Sequence, residues 1–334
     1  MLAHLLAAVA PPFEAPTLDW HALAPEVVLT ATFVVVLLVD LFTEQHSKWL
    51  TSSIAGMGFL AAAVPLLTLA ADGADRTMFG GAYVVDDFSL VLKGLFLVAG
   101  YLTVLLSTHY ISEGDYWEGE YYTLLLASVL GMVVMASARD LITMFVALEL
   151  LSIPAYLLAG WRKRALTGNE AGVKYYLMGV FASGVMLYGM SLIYGGTGTT
   201  LLADIGAQMG DGGFGETSAA ALGIVFALVG FGFKVSAVPF HNWAPDTYEG
   251  APTPITAFLS VASKAAGFVA LMSLIFVAFY PRDDVYGPLM FVLAAASMTV
   301  GNLIALRQTN VVRLFAYSSV AQGGFIHISL ATLA

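Results

Sequence analysis

Three ionisable residues stand inside long apolar runs: Glu149, Lys234 and Lys264. Placing such a charge in hydrocarbon costs roughly 2.5–3.5 kcal/mol on insertion scales. Glu149 lies in Phe145-Val-Ala-Leu-Glu-Leu-Leu-Ser-Ile-Pro154, and Lys264 among the small residues Ala262, Ser263, Ala265, Ala266 and Gly267. Each is about nine or ten residues into its run, which is about 14–15 Å at the helical rise and so near mid-bilayer. Lys234 precedes Pro239 by about five residues, or roughly 7–8 Å of helix. Desolvation disfavours an ammonium, and a nearby carboxylate restores it. A lysine balanced between those two influences can take up and release a proton. We therefore read Glu149, Lys234 and Lys264 as proton-transfer residues, with Glu149 setting the charge of a lysine. The plainer alternative is a structural ion pair.

His241 and His327 are possible relays, because histidine titrates near neutral pH. His4, His21, His46 and His109 read as loop or interface residues. Lys93 and Lys174 lie near run ends, where a long side chain can snorkel to the interface. Tyr175, Tyr176, Tyr188 and Tyr194 read as packing. Gly195-Gly196-Thr197-Gly198 lacks the Gly-Lys-Ser/Thr ending of a phosphate loop. No spacing suggests a metal site, and no motif binds flavin, NADH or an iron–sulfur cluster. We expect no cofactor and no metal in this chain.

The elements that must position these residues are membrane helices. Of 334 residues, 59% are hydrophobic and 11% charged, with mean hydropathy +0.84; a soluble domain carries about 25% charged residues. The chain has no cysteine, which removes disulfides and cysteine-held metals. Its net charge of −10 comes largely from connections, among them Glu113, Asp115, Glu118, Glu120, Asp204, Asp211 and Glu216. No basic stripe invites nucleic acid. The short apolar start, Met1 to Ala10, is a poor signal peptide and reads as the lead-in to the first span.

A span needs ~20 apolar residues. About ten candidates follow, near 23–42, 50–71, 88–108, 120–138, 140–160, 173–196, 219–239, 254–279, 287–306 and 311–333. The fold class is an all-α polytopic transmembrane bundle of about ten spans. The tryptophans Trp20, Trp49, Trp117, Trp161 and Trp243 fall in or beside the connections and read as interfacial anchors. The excess of Lys48, Arg162, Lys163, Arg164, Arg307 and Arg313 over Arg76, Arg139 and Arg282 puts the N-terminus outside. The seventh span is broken: Pro239 is followed by His241-Asn-Trp-Ala-Pro245 and by Pro252 and Pro254. Proline removes a backbone donor, and freed backbone groups at membrane depth need protein or water beside them. An ordinary proline-rich loop is the alternative. The apolar ending, Leu330 to Ala334, suggests a fragment of a longer product.

Four segments carry a family resemblance: Glu149-Leu-Leu-Ser-Ile-Pro-Ala-Tyr156, Glu170-Ala-Gly-Val-Lys-Tyr-Tyr176, Phe233-Lys-Val-Ser-Ala-Val-Pro-Phe-His-Asn-Trp-Ala-Pro-Asp246 and Ala316-Tyr-Ser-Ser319. They resemble the antiporter-like subunits of proton-pumping NADH-quinone oxidoreductase, respiratory complex I. Lys174 to Ser183 and Asp246 to Pro254 look most like its subunit N. The resemblance covers about residues 85–334. It implies about fourteen helices with two inverted five-helix repeats. Here these would be spans 1–3 in 1–118, a first repeat in 119–279, and an incomplete second in 280–334. It also implies a glutamate–lysine pair at Glu149 and Lys234, and a second lysine at Lys264. The family's terminal lysine has no counterpart. Val312 and Gln322 replace a basic residue and a histidine common in the family. The implied function is proton translocation coupled to quinone reduction elsewhere, in a bacterial plasma membrane. NADH, flavin, iron–sulfur clusters and quinone would be held by partner membrane and redox subunits. The alternatives are a cation/proton antiporter subunit, an energy-converting hydrogenase subunit, or a non-pumping scaffold.

Overall fold

The structure is a computed structural model that describes residues 17–43, 49–73, 75–113 and 119–332. His4, His46, Lys48, Asp115, Trp117, Glu118 and the run from Met1 to Ala10 lie outside the described residues, as do Leu333 and Ala334. Helices fall on all ten expected runs. They are α1 Ala24–Phe42, α2 Trp49–Asp72, α3 Asp87–Glu113, α4 Gly119–Ser137, α5 Leu141–Ala159 and α6 Leu166–Thr197. After a short helix α7, Leu202–Gly210, come α8 Ser218–Lys234 and α9 Trp243–Gly250. The last three are α10 Thr253–Ala278, α11 Asp283–Ala305 and α12 Val311–Thr332. Among the described residues eight are long and apolar enough to cross a membrane; α8 is apolar but shorter. The protein is an all-α polytopic membrane bundle. Among the described residues the one small sheet is a hairpin of β1 Arg76–Met78 and β2 Tyr83–Val85, with Thr77 opposite Val84.

Local chemistry sets the helix ends. Asp140 caps α5 by accepting the Thr143 amide at 2.9 Å, and Thr217 caps α8 through Ala220 at 3.2 Å. The run Gly195-Gly196-Thr197-Gly198 is the end of α6, where Gly198 takes the left-handed conformation (φ 69°) that terminates helices.

The connections sort into two sides by parity, as an up-and-down membrane chain requires. After the second, fourth and sixth spans they are stitched together: Tyr83 bridges Ala138, and Asp140 bridges Leu201. Arg139 also bonds Asp86 at 3.1 Å. On the opposite side Lys174 pairs with Glu170 and Asp246. Arg313 pairs there with Asp246 at 2.6 Å and Glu249 at 3.0 Å. Those ties join α6, α9 and α12. Asp19 accepts from the Ala22 amide and from Arg76, and chiefly the Ala22 bond holds its carboxyl below the ordinary range. This tie between the lead into α1 and the hairpin is present above the ordinary carboxylate range and lost as pH falls through the lowered value.

The anchoring expectation holds for Trp20 and Trp49, which are exposed, and fails for Trp161 and Trp243, which are buried. Trp161 packs edge-on against Tyr121, and Trp243 is part of the broken segment. Both rings turn into protein because their connections fold back over the bundle.

Small residues let the helices close on one another. A Cβ on Gly131 would meet the Leu151 amide nitrogen at 2.5 Å and the Ala147 carbonyl oxygen at 2.8 Å, so α4 lies directly on α5. A Cβ on Gly184 would meet nothing within 4 Å. Gly131→Ala is therefore expected to lower the thermal midpoint of the purified protein, by an overpacking cost of about 1–3 kcal/mol. Gly184→Ala is expected to leave it unchanged or slightly raised. Equal midpoints for the two variants would contradict this packing.

Candidate proton-transfer site

Lys234 is the last residue of α8, and the chain beyond it is not helical until Trp243. Ser236 has a positive φ of 59°, and the Val238–Pro239 bond is cis. The backbone freed by the break is satisfied by protein. Ala237 N bonds Gly232 O at 2.8 Å and Ser236 N bonds Phe233 O at 2.9 Å. Indole Nε1 of Trp243 donates to Phe233 O at 3.0 Å, and Val238 N donates to Ser297 Oγ at 2.9 Å. The ammonium of Lys234 thus stands at a helix C-terminus, where the helix dipole favours positive charge.

Lys234 is 1% exposed. Its Nζ donates to Ser152 Oγ at 2.9 Å and to Tyr175 Oη at 3.1 Å. An ammonium has three donors, so one remains for exchange. Tyr175 is held by a stacked contact with Trp243, ring centroids 4.3 Å apart and planes 12° apart. The Glu149 carboxylate acts on Lys234 electrostatically. It does not touch it: Glu149 is half-buried and accepts from Ser183 Oγ at 2.5 Å. Ser152 lies one helical turn beyond Glu149 on α5, on the same face.

Lys264 is 5% exposed. It follows a widened π-helical turn, Leu259–Ser263, and such turns often accompany functional sites. Its Nζ donates to Ser319 Oγ at 2.5 Å and lies 5.8 Å from the Tyr248 ring centre. Among the described residues no carboxylate lies within ion-pair distance of Lys234 or Lys264. Hydroxyls hold both ammonium groups.

His327 is fully buried, donates from Nδ1 to Gly323 O at 2.7 Å, and interacts electrostatically with Lys264. Its Nε2 has no partner. His241 is 7% exposed, with an unpartnered Nδ1, and its ring faces Tyr317 at 6.3 Å. The fold therefore brings His327 beside Lys264 and keeps His241 within the break itself, its ring toward Tyr317.

Two expectations are corrected. Lys93 does not snorkel: it has no exposed surface and pairs with Glu26 at 2.8 Å, because α1 lays an acid beside it. Tyr175 is not mere packing, since its hydroxyl meets Lys234, whereas Tyr176, Tyr188 and Tyr194 face outward. Lys174 does keep an exposed end. Sequence reading missed Ser152, Tyr175, Ser319 and Tyr248. A signal existed for Ser152, one turn from Glu149; Ser319 stands in the Ala316–Ser319 segment that carries the resemblance, but nothing in the sequence tied it to Lys264, which it meets from a distant helix. Among the described residues no group of three or more potential ligands could hold a metal.

The arrangement can move protons. Two buried amines, each on a hydroxyl, flank a helix break, with one carboxylate acting on the first from a neighbouring helix.

The family profile described as "NADH:quinone oxidoreductase/Mrp antiporter, TM" matches residues 138–333. NADH-quinone oxidoreductase subunit N of Trichlorobacter lovleyi is 42% identical over 316 residues, covering 95% of this chain and 64% of its own length. NAD(P)H-quinone oxidoreductase subunit 2 of Synechococcus elongatus is 41% identical over 314 residues, covering 94% and 60%. The chain thus spans less than two thirds of the length of these relatives. Among solved structures, respiratory complex I from Thermus thermophilus with bound aureothin has a chain 35% identical, with TM-score 0.75, covering 92% of this chain and 64% of that one. The Mrp complex from Dietzia sp. shares the fold at TM-score 0.79 and 21% identity, covering 94% and 59%. With more than half of its length matched, on the helices that carry Glu149, Lys234 and Lys264, the chain belongs to the NADH:quinone oxidoreductase/Mrp antiporter transmembrane family.

Proposed function

We propose that this chain is a proton-translocating membrane subunit of an NADH-quinone oxidoreductase, with the redox cofactors NADH, flavin, iron–sulfur clusters and quinone held by partner subunits. The observation that carries this reading is the pair of buried lysines bonded to hydroxyls rather than carboxylates. A lysine locked in an ion pair keeps its proton; one held by Ser and Tyr is tuned by a carboxylate at a distance. Moving Glu149 relative to Lys234 changes their interaction by a few kcal/mol at an effective dielectric near 20. At about 1.36 kcal/mol per pH unit, that suffices to load or unload the amine. Protons then pass along the membrane plane from Lys234 toward Lys264, with Tyr175 and Ser152 orienting the first amine and Ser319 the second. His327 extends the line beyond Lys264, and His241 has a weaker claim to a relay.

The second reading is a cation/proton antiporter subunit of the same family, favoured by the shared fold with the Mrp complex. A hydrogenase-type membrane subunit or a passive scaffold are the remaining readings. The chain sits in a bacterial plasma membrane with its N-terminus outside, on the charge of the 162–164 connection.

In inverted membrane vesicles, NADH-driven proton uptake is expected to fall about tenfold or more in Lys264→Ala and Glu149→Gln, the order of a lost proton-transfer group. Tyr175→Phe should fall less, because Ser152 remains. Full uptake in both Lys264→Ala and Glu149→Gln would make these residues structural. Uptake that needs an imposed sodium gradient instead of NADH would select the antiporter reading. The absence of native cysteine makes orientation simple to test. A cysteine introduced at Lys163 should react with an impermeant maleimide only from the cytoplasmic side; labelling from outside would invert the topology.

A further inference from the structure

Two grooves follow the seam between α5 and α6, one at each end of the pair, and they differ in charge. The groove on the hairpin side is a cavity of about 530 Å³, walled by residues such as Ile142 and Leu187 and by no charged residue among those described. The groove at the opposite end is of similar size, about 540 Å³, with Leu157 and Val173 on its walls and Lys163 and Asn169 at its mouth. Its floor is set by glycine. A Cβ on Gly172 would meet Gly160 Cα at 3.0 Å, so the chain at the end of α5 touches the backbone of α6 there. Leu157 and Val173 are both exposed, as hydrocarbon-facing side chains of spanning helices.

The mouth is built differently from the other charged sites of the protein. It lies in the turn Arg162-Lys163-Arg164 between the two helices. Lys163 Nζ stands 5.1 Å from the centre of the Trp161 ring, a cation–π contact. Trp161 is itself buried against Tyr121, so the ring under the ammonium is fixed. Asn169 ties the turn to α6 by donating from Nδ2 to Lys163 O at 3.2 Å. Glu120, the one acid lining the groove, is exposed. The lysine is thus held over an indole with its charge turned to the mouth, above an apolar trough. Lipid-facing apolar walls that end in an aromatic and a cation at the membrane surface match an amphiphile with an acyl chain and a phosphate.

We propose that this groove binds one anionic phospholipid. Its acyl chain lies between Leu157 and Val173 over the Gly160–Gly172 floor, and its phosphate pairs with the Lys163 ammonium. Charge complementarity selects the headgroup: the groove at the other end is as large but carries no cation, and takes any acyl chain. The bound lipid covers the seam on which Glu149 of α5 meets Ser183 of α6. The site stands on these contacts and does not depend on the proposed proton path.

The protein in its purified complex, reconstituted in vesicles of equal phosphatidylglycerol and phosphatidylcholine, tests this by photocrosslinking. With p-benzoylphenylalanine in place of Val173, mass spectrometry of this chain reads the lipid adducts. Phosphatidylglycerol adducts are expected to exceed phosphatidylcholine adducts by about fivefold, the order of one lysine at a membrane surface. Lys163→Glu is expected to bring the ratio to parity or below. The same probe in place of Leu187, in the uncharged groove, is expected to give parity. Equal adducts at Val173, a preference at Leu187 as large as at Val173, or crosslinks to a protein partner in place of lipid would each overturn the site. Where Lys163→Glu fails to assemble, Lys163→Gln is expected to lower the ratio, and an unchanged ratio would overturn the site equally.

Discussion

A membrane interior offers no water to a charge or to a broken backbone, and Lys234 meets both problems at one place. Its helix stops there, so carbonyls that would be paired in a continuous helix need other donors. The side chain ends in an ammonium that needs acceptors. The same few residues answer both needs: Trp243 reaches back to Phe233 O and also stacks on Tyr175, whose hydroxyl accepts from Lys234. Remove the break, and Trp243 has no reason to enter the core; remove Trp243, and Tyr175 loses the surface that holds it. Much of the packing of α6, α8 and α9 is arranged around this requirement, including the close approach at Gly250, where a Cβ would meet Thr167 O at 2.2 Å.

The chain holds buried lysines in two different ways, and the contrast explains their different chemistry. Lys93 touches a carboxylate directly, Glu26 at 2.8 Å, and is held as one half of an ion pair. Lys234 and Lys264 touch hydroxyls, which solvate an ammonium and an amine alike. Glu149 acts on Lys234 at a distance, while Ser152, one turn further along the same helix, accepts from the lysine. A small helix movement changes that distance, and at low effective dielectric the energy follows steeply. The ion pairs on the opposite side from the hairpin, which join α6, α9 and α12, restrain the elements on which the break depends.

Much of this was legible in the sequence, and the limits have physical causes. Length and hydropathy placed ten helices, since a bilayer sets their size. Pro239 and the prolines after it marked the break, because proline cannot complete a helix ladder. Glu149, Lys234 and Lys264 stood out as charges deep in apolar runs. Lys93 did not, because depth counted along its own helix placed it near an end, and its partner Glu26 comes from a helix two spans earlier. Trp161 and Trp243 misled for a similar reason: a tryptophan in a connection anchors to lipid only if the connection does not fold back. Ser152, Tyr175, Ser319 and Tyr248 are ordinary residues until the fold sets them against an amine. The small helix Leu202–Gly210 and the hairpin are too short to carry a span signal.

We propose that Lys234 changes its protonation state, held ready by hydroxyls and tuned by Glu149. Solid-state ¹⁵N NMR of the lysine Nζ in the assembled complex, with Lys234 assigned by its loss in Lys234→Met, reads that state directly. The Lys234 signal should move between ammonium and neutral-amine positions as pH is varied, and Glu149→Gln should move the pH of that change. A Lys234 signal that stays at the ammonium position throughout, unaffected by Glu149→Gln, would contradict it.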